Sequence, residues 1–466
     1  VRSAPTSLRS SPLLAEALGP ATGDVSARRL FGLALPALGV LVAEPVYLLF
    51  DAAVVGRLGA GALAGLAVGG IVLAQVSTAL TFLSYGTTSR AARLHGAGRD
   101  RDAVAEGVQA TWLAVGIGVV LLVAVQLFAS PILGVIGGGG DISTEAERWL
   151  RIAVVGAPLI LITLAGNGWM RGVQDTVRPL RFVVAGVVVS TALCPVLVFG
   201  WSVAPDMGLE GSAVANVVGQ FVAATLFVSA ILRERVPLGV RLPVMRAQLV
   251  LGRDLILRTA AFQVCFLSAT TVAARFGAAA VGAHQLVLQL WNLVALILDS
   301  LAIAAQALTG AALGASHGDV VMTLARRVTL WSTAAALGLA AAFAATYPVL
   351  PGVFTDDLSV QDEMRGIWWL FVAMIPLAGV VFALDGVLLG AGDAAFLRTA
   401  TLVGALLGFL PFVWLSLTLD WGLAGIWVGL AVFIIVRLIA VVARTVSGKW
   451  ITVGVENRDP SNKERS

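Results

Sequence analysis

PALGVLVAEPVYLLFDAAVVGRLG, residues 36–59, is an apolar run that carries two carboxylates, Glu44 and Asp51, well inside its ends. As an α-helix it would extend about 36 Å, enough to cross roughly 30 Å of bilayer hydrocarbon. An ionised acid at that depth costs about 2.5–3.5 kcal/mol on insertion scales, so it is kept where it meets a cavity, a partner or a proton path. Seven residues is close to two helical turns, which is expected to bring Glu44 and Asp51 to one side of the helix as a coupling-ion pair.

The whole chain has the same character. Hydrophobic residues make up 58% of it and charged residues 12%, and the mean hydropathy is +0.93. No soluble fold keeps such a chain in water. Twelve apolar segments are long enough to span, at 30–55, 62–89, 104–135, 148–171, 181–203, 209–232, 254–276, 282–314, 320–350, 362–390, 396–419 and 422–446. The fold class is therefore an all-α integral membrane protein. The two cysteines, Cys194 and Cys265, both fall in apolar spans and read as small buried residues with no disulfide.

Charge in the connections tests the count independently. Arg28 and Arg29 precede the first span; Arg90, Arg93, Arg99 and Arg101 follow the second; Arg171, Arg178 and Arg181 follow the fourth. Arg233, Arg235, Arg241, Arg246 and Arg253 follow the sixth, Arg326 and Arg327 the eighth, Arg398 the tenth and Arg444 with Lys449 the twelfth, whereas the intervening connections carry Asp141, Glu145 and Glu147, then Asp206 and Glu210, then Asp356, Asp357, Asp362 and Glu363. Arginine retained on one side places both termini in the cytoplasm. The Ser/Pro/Ala-rich residues 1–27 and residues 447–466 are expected to be disordered cytoplasmic tails, the first without a cleavable signal peptide.

The chain also repeats. Arg57-Leu58-Gly59 corresponds to Arg275-Phe276-Gly277, and Arg171-Gly172-Val173-Gln174-Asp175 to Leu389-Gly390-Ala391-Gly392-Asp393, both at a spacing of 218 residues. Six spans per repeat is an even number, so the halves share an orientation and are related by an axis along the membrane normal. The expected organisation is a six-helix bundle over 28–232, a cytoplasmic linker over 233–253 and a second six-helix bundle over 254–446, with a central cavity between the bundles.

Polar residues inside the spans mark its walls. Gln285, Asn292, Asp299 and Gln306 recur every seven residues in the eighth span, with Gln289 one turn away, and Gln75, Thr78 and Tyr85 form a weaker stripe in the second. Such stripes serve either as interhelical hydrogen-bonding positions or as a cavity wall. Asp385 lies inside the tenth span, and Arg258 and Arg437 are the bases placed to neutralise Asp299 or Asp385. The glycine run 137–140 lacks the Lys-Ser or Lys-Thr of a phosphate cradle, and His95, His284 and His317 have no metal-ligand spacing; His284 reads as a hydrogen-bonding residue at a span start. No catalytic motif is present, so an enzyme is not indicated, and nucleic acid is not an expected partner.

The motifs resemble those of the multidrug and toxic compound extrusion (MATE) transporters, in particular the DinF-type branch, over essentially all twelve spans. The resemblance is carried by Asp51-Ala52-Ala53-Val54-Val55-Gly56-Arg57, Arg171-Gly172-Val173-Gln174-Asp175-Thr176, Leu298-Asp299-Ser300-Leu301-Ala302, and Leu384-Asp385-Gly386 with Gly390-Ala391-Gly392-Asp393. It implies a V-shaped pair of bundles exporting organic, often cationic, compounds in exchange for protons or sodium, with Asp51 a central coupling residue. Where the family usually has Asn and Asp in the fifth span, this chain has Ser190 and Cys194, and Glu44 is the residue available as a second acid. Tyr47, Gln75, Gln285, Gln289, Asn292 and Gln306 are the expected cavity lining.

Proton is favoured over sodium as coupling ion, because a hard cation wants several oxygen ligands and Cys194 is a poor one. No cofactor or metal is expected. The partners are small organic substrates and the lipid bilayer, the working unit is a monomer, and the location is a bacterial plasma membrane, with an organelle membrane as the lesser option. A sodium-coupled antiporter and a lipid-linked precursor flippase are the alternatives, with a membrane-embedded enzyme acting on lipids the remotest.

Overall fold

The computed structural model describes residues 26–136, 140–201 and 205–454. Among these there are twelve spans and no strand. The first is Ala27–Val55, capped by the Ser26 hydroxyl, and it runs through Pro36 and Pro45 without a break. The second is two helices, Ala60–Ala79 and Phe82–Gly96, interrupted at Leu80 and Thr81. The third is Asp100–Ile136; the fourth combines Asp141–Ala153 and Ala157–Gly172; the fifth and sixth are Val177–Phe199 and Leu209–Arg233. The second half comprises Leu242–Arg275, Ala278–Gly314, Gly318–Thr346, Leu358–Gly390, Ala394–Thr418 and Gly422–Val446. The eleventh contains a π-helical segment, Gly404–Phe409, just before Pro411. Eleven spans are unbroken enough to qualify by length and hydropathy alone; the second is split by its kink.

The boundaries correct the expected organisation in two places. The seventh span begins at Leu242, so the connection between the halves shrinks to 234–241 and the remainder of the expected linker is helix. It can be helical because one side packs on the first lobe: Gln248 is buried and donates to Glu106, and Gly252 lies on the Phe82 ring. The connection is itself held by the third span, through Gln109 Nε2 to the Gly239 carbonyl and Trp112 Nε1 to that of Leu238, both 2.8 Å. Second, residues 447–454 are folded instead of forming the start of a tail, because Trp450 is buried in the core beneath them. The rest of the expected tails, 1–25 and 455–466, and glycines 137–139 lie outside the described residues.

The repeat extends into conformation. Gly59 and Gly277, 218 residues apart, hold φ of 122° and 112° and open the second and eighth spans, a conformation that a side chain would strain. Gln174 and Gly392 share positive φ at the same spacing, as do Gly98 and Ser316. Helix crossings repeat as well. A Cβ on Gly168 would meet the Ser84 carbonyl at 2.7 Å, and one on its counterpart Gly386 would meet the Ala302 carbonyl at 2.2 Å. These crossings pack backbone on backbone inside each lobe, the arrangement that small residues permit in a membrane.

The same geometry joins the lobes. A Cβ on Gly96 would lie 1.9 Å from the Ala311 carbonyl, and one on Gly314 would lie 1.9 Å from that of Arg93. Since 93 and 311, and 96 and 314, are repeat partners, the second and eighth spans cross about the pseudo-two-fold axis itself. That crossing lies at the arginine-rich face. Along the stripe of the eighth span exposure falls in order: Gln285 and Asn292 are exposed, Asp299 is partly buried and Gln306 is 1% exposed. One helix side thus passes from open space to sealed interface, so the lobes part towards the face opposite the arginines.

Replacing Gly386 by Ala puts a methyl into the Ala302 carbonyl and is expected to cost about 1–3 kcal/mol. Gly116→Ala, with open space at its Cβ, should be neutral or slightly stabilising. Thermal unfolding of the two purified variants in one detergent checks the order; equal midpoints would contradict the crossing.

Candidate functional site

Two polar centres lie at membrane depth. The first is in the N-terminal lobe around Asp51, which is 1% exposed. Asp51 is carried on the last turn of the first span, between the fifth and sixth. Ser212 donates to its Oδ2 at 2.9 Å, and the Cys194 thiol approaches its Oδ1 at 3.3 Å. The Ser212 oxygen in turn receives the Trp149 indole N–H at 3.3 Å. An indole N–H can only donate, so it fixes Ser212 as acceptor from Trp149 and donor to Asp51. The relay leaves Oδ1, beside a weak thiol donor, as the oxygen free to take a proton. Tyr47, one turn earlier on the same helix side, is buried here too; Asp51, Cys194 and Ser190 surround its hydroxyl, which has no hydrogen-bond partner among the described residues.

Two expected members make no bond to Asp51. Ser190 is buried, but its hydroxyl donates to the Ala215 carbonyl at 3.0 Å, closing the contact of the fifth and sixth spans where Gly219 leaves room for it. Glu44 is exposed and has no hydrogen bond or ion pair among the described residues, so it does not form the expected pair with Asp51. The periodicity that aligned them in angle also separates them by about 10.5 Å of helix rise. Ser212 and Trp149 were not singled out in the sequence, where a Ser in a glycine-rich helix start and a Trp in an amphipathic one carry no signal of their own.

The second centre lies in the C-terminal lobe and at its border with the first. Asp385, 4% exposed, accepts from Arg258 Nη2 at 2.6 Å and from Arg437 on the same Oδ2. Both guanidiniums also lie over the Phe262 ring, at 5.8 and 5.2 Å from its centre. The two bases of the lobe are therefore shared by one acid. Asp299 takes neither; it accepts from the Tyr85 hydroxyl of the opposite lobe at 2.6 Å, with Arg171 as a further buried basic neighbour. Gln306 donates to the Tyr85 carbonyl at 2.7 Å and to Ser89 Oγ at 2.8 Å, and Ser89 donates to the Leu389 carbonyl at 2.6 Å. Gln306 is thus a fastening between lobes and lines no open space. Gln285, Gln289 and Asn292 are exposed on the diverging wall, and Gln75 meets Gln263 of the seventh span across the lobes at 2.5 Å. His284, expected to hydrogen-bond, is buried edge-on to Trp427, and neither ring nitrogen has a partner among the described residues. Among the described residues no cluster of His, Cys, Asp and Glu could hold a metal ion.

Twelve spans in two repeat-related lobes, sealed at one face and parted at the other around buried acids, define a two-lobed polytopic membrane transporter. The chain belongs to the MatE family, whose profile matches residues 36–196 and 255–414, one match per lobe. It is 32% identical over 450 residues to Protein DETOXIFICATION 44, chloroplastic, of Arabidopsis thaliana, covering 92% of this chain and 84% of that protein. It is 29% identical over 429 residues to DNA damage-inducible protein F of Escherichia coli (strain K12), covering 90% and 92%. Among solved structures, an outward-facing multidrug resistance MATE family transporter superposes with a TM-score of 0.79 at 19% identity, over 91% of this chain and 95% of that one. Members of this family are transporters, not enzymes.

Removing one partner of a buried ion pair leaves the other charge uncompensated, at a cost of about 3–5 kcal/mol. Asp385→Ala, which strands two guanidiniums, should therefore lower the yield of folded protein and its melting temperature strongly. Asp299→Asn, which keeps an acceptor for Tyr85, should change both little. Size-exclusion profiles and thermal unfolding of the two variants check the contrast.

Proposed function

We propose that the protein is a secondary efflux transporter that exports organic, cationic or amphipathic compounds in exchange for protons by alternating access. The observation that carries this reading is Asp51: a buried carboxyl at membrane depth whose partners among the described residues are the neutral groups Ser212 and Cys194. With no counter-cation beside it, such a group is held most cheaply as the neutral acid and ionises only when water or a cation reaches it. This is the behaviour required of a carrier that loads a proton on one side and releases it on the other. A sodium ion would want several oxygen ligands, and the Asp51 centre pairs its carboxylate with one hydroxyl and a thiol.

The substrate class follows from the walls. Exposed Gln285, Gln289 and Asn292 supply amides, Asp299 supplies an acid, and Arg258 and Arg437 are taken up by Asp385. This lining suits a cation or a polar amphiphile better than the phosphates of a lipid-linked precursor. Arginine retention on the sealed face supports a cytoplasmic position for it in a bacterial plasma membrane, and in that arrangement the parted lobes face outwards. Proton uptake by Asp51 from outside then changes the charge at the end of the first span. Pro45, six residues before it, deprives the Leu41 carbonyl of its helical partner and supplies a place for that helix to bend. Each proton entering across the full potential contributes about 2.3 kcal/mol per 100 mV to export.

Proteoliposomes given a fluorescent organic cation and either a pH or a sodium gradient test the proposal, with Asp51→Asn as control. Export driven by the pH gradient and reduced to background in the variant is the expected outcome. Export driven by sodium alone assigns the other ion, and unchanged export by Asp51→Asn removes Asp51 from coupling.

A further inference from the structure

We propose that residues 447–454, which follow the twelfth span, form a strap that holds the sealed face shut and has to be released for that face to open. The proposal rests on the alternating-access reading, but on none of the residues that carry proton coupling.

The segment is anchored at one end and bridges the lobes at the other. Trp450 is 2% exposed in the core shared with the eighth and tenth spans, and its indole N–H donates to the Thr445 carbonyl at 2.9 Å. From there the chain passes over the start of the ninth span, where Val453 and Ile451 lie against Gly318. The Gly454 N–H donates to the Leu313 carbonyl at the end of the eighth span, at 2.9 Å. Arg93, on the second span of the opposite lobe, reaches across to the same segment. Its guanidinium donates to the Ala391 carbonyl at 2.7 Å, to Thr452 Oγ1 at 3.1 Å and to the Gly454 carbonyl at 3.5 Å.

These bonds sit on the lobe crossing itself. The backbone of Arg93 is the surface against which Gly314 packs. Any motion that parts the second and eighth spans at this face therefore pulls Arg93 from Thr452, Gly454 and Ala391 together. The repeat partner of Arg93 is Ala311, so the opposite half of the crossing has no corresponding side chain. The strap is thus an addition to the repeat that acts on one face only, and it contributes stability to the outward-open state without entering the cavity.

Ser89 is the reporter, since it is 3% exposed between the lobes at this level; because its hydroxyl also bonds Gln306 and Leu389, every rate is compared within the Ser89→Cys background. In nanodiscs, the rate at which Ser89→Cys reacts with a bulky polyethylene-glycol maleimide reads opening of this face, after subtraction of the chain without the added cysteine. Combining it with Trp450→Ala is expected to raise the rate about tenfold. Arg93→Lys, which keeps the charge but loses the fork of donors, and Thr452→Ala should raise it severalfold even if Trp450→Ala folds poorly. Rates within twofold of the parent in Arg93→Lys and Thr452→Ala, at unchanged melting temperature, would overturn the strap. A reporter that never reacts, with or without substrate and at any pH in all variants, would instead overturn alternating access and the strap with it; a parent whose rate responds to substrate or pH separates the two failures.

Discussion

Every charge held at membrane depth must be answered from within the protein, and Asp51, Asp299 and Asp385 are answered in three different ways. Asp385 is given two guanidiniums, Asp299 a phenol from the opposite lobe, and Asp51 only a hydroxyl and a thiol. The first arrangement stabilises a permanent charge, because desolvation is offset only when an ion pair is close and further bonded. The second ties a charge-bearing group to the position of the other lobe. The third has no ion pair to break when its charge changes, and it sits near the end of the first span.

The lobes are built from glycine as much as from apolar side chains. In hydrocarbon no hydrophobic gain drives helices together, so close approach and interhelical bonds have to do it. Gly168 and Gly386 set the crossings within each lobe, and Gly96 and Gly314 set the crossing between them. The latter two lie on the pseudo-symmetry axis, where each lobe contributes the same small surface. Fastenings that are not symmetric, Gln306 on Tyr85 and Ser89, and Arg93 on residues 452–454, add to the closed side of this crossing.

Much of this is legible in the sequence because it depends on residue type and spacing alone. Span count and common orientation of the halves follow from hydropathy, arginine placement and the 218-residue repeat; the junction does not, because residues 242–253 read as a basic linker until their packing on the third span makes them helix. Asp51 and Asp385 stand out because an acid in an apolar run has few innocent explanations. What spacing does not give is the partner. Both bases were equally placed for Asp299 and Asp385, and only the packing of the seventh, tenth and twelfth spans sends Arg258 and Arg437 to one acid. Glu44 illustrates the converse error, in which angular alignment on a helix is mistaken for proximity. Ser212 and Trp149 escape notice because nothing distinguishes them until three helices bring them to Asp51. Residues 447–454 look like a tail because a lone Trp outside a span has no periodicity to announce its burial.

The comparison of repeat partners adds a last step. Asp385 corresponds to Asn167, and both are buried at equivalent places in their lobes. An amide in one half and a carboxylate in the other means that the C-terminal lobe alone needed guanidiniums at this position, and Arg258 and Arg437 meet that need. Asp51 falls at the repeat position of Ala269. The repeated backbone thus carries a fixed ion cluster in one half and an uncompensated acid in the other. Under the proposed proton coupling, this division of charge sets Asp51 apart from Asp385 as the acid whose protonation breaks no ion pair.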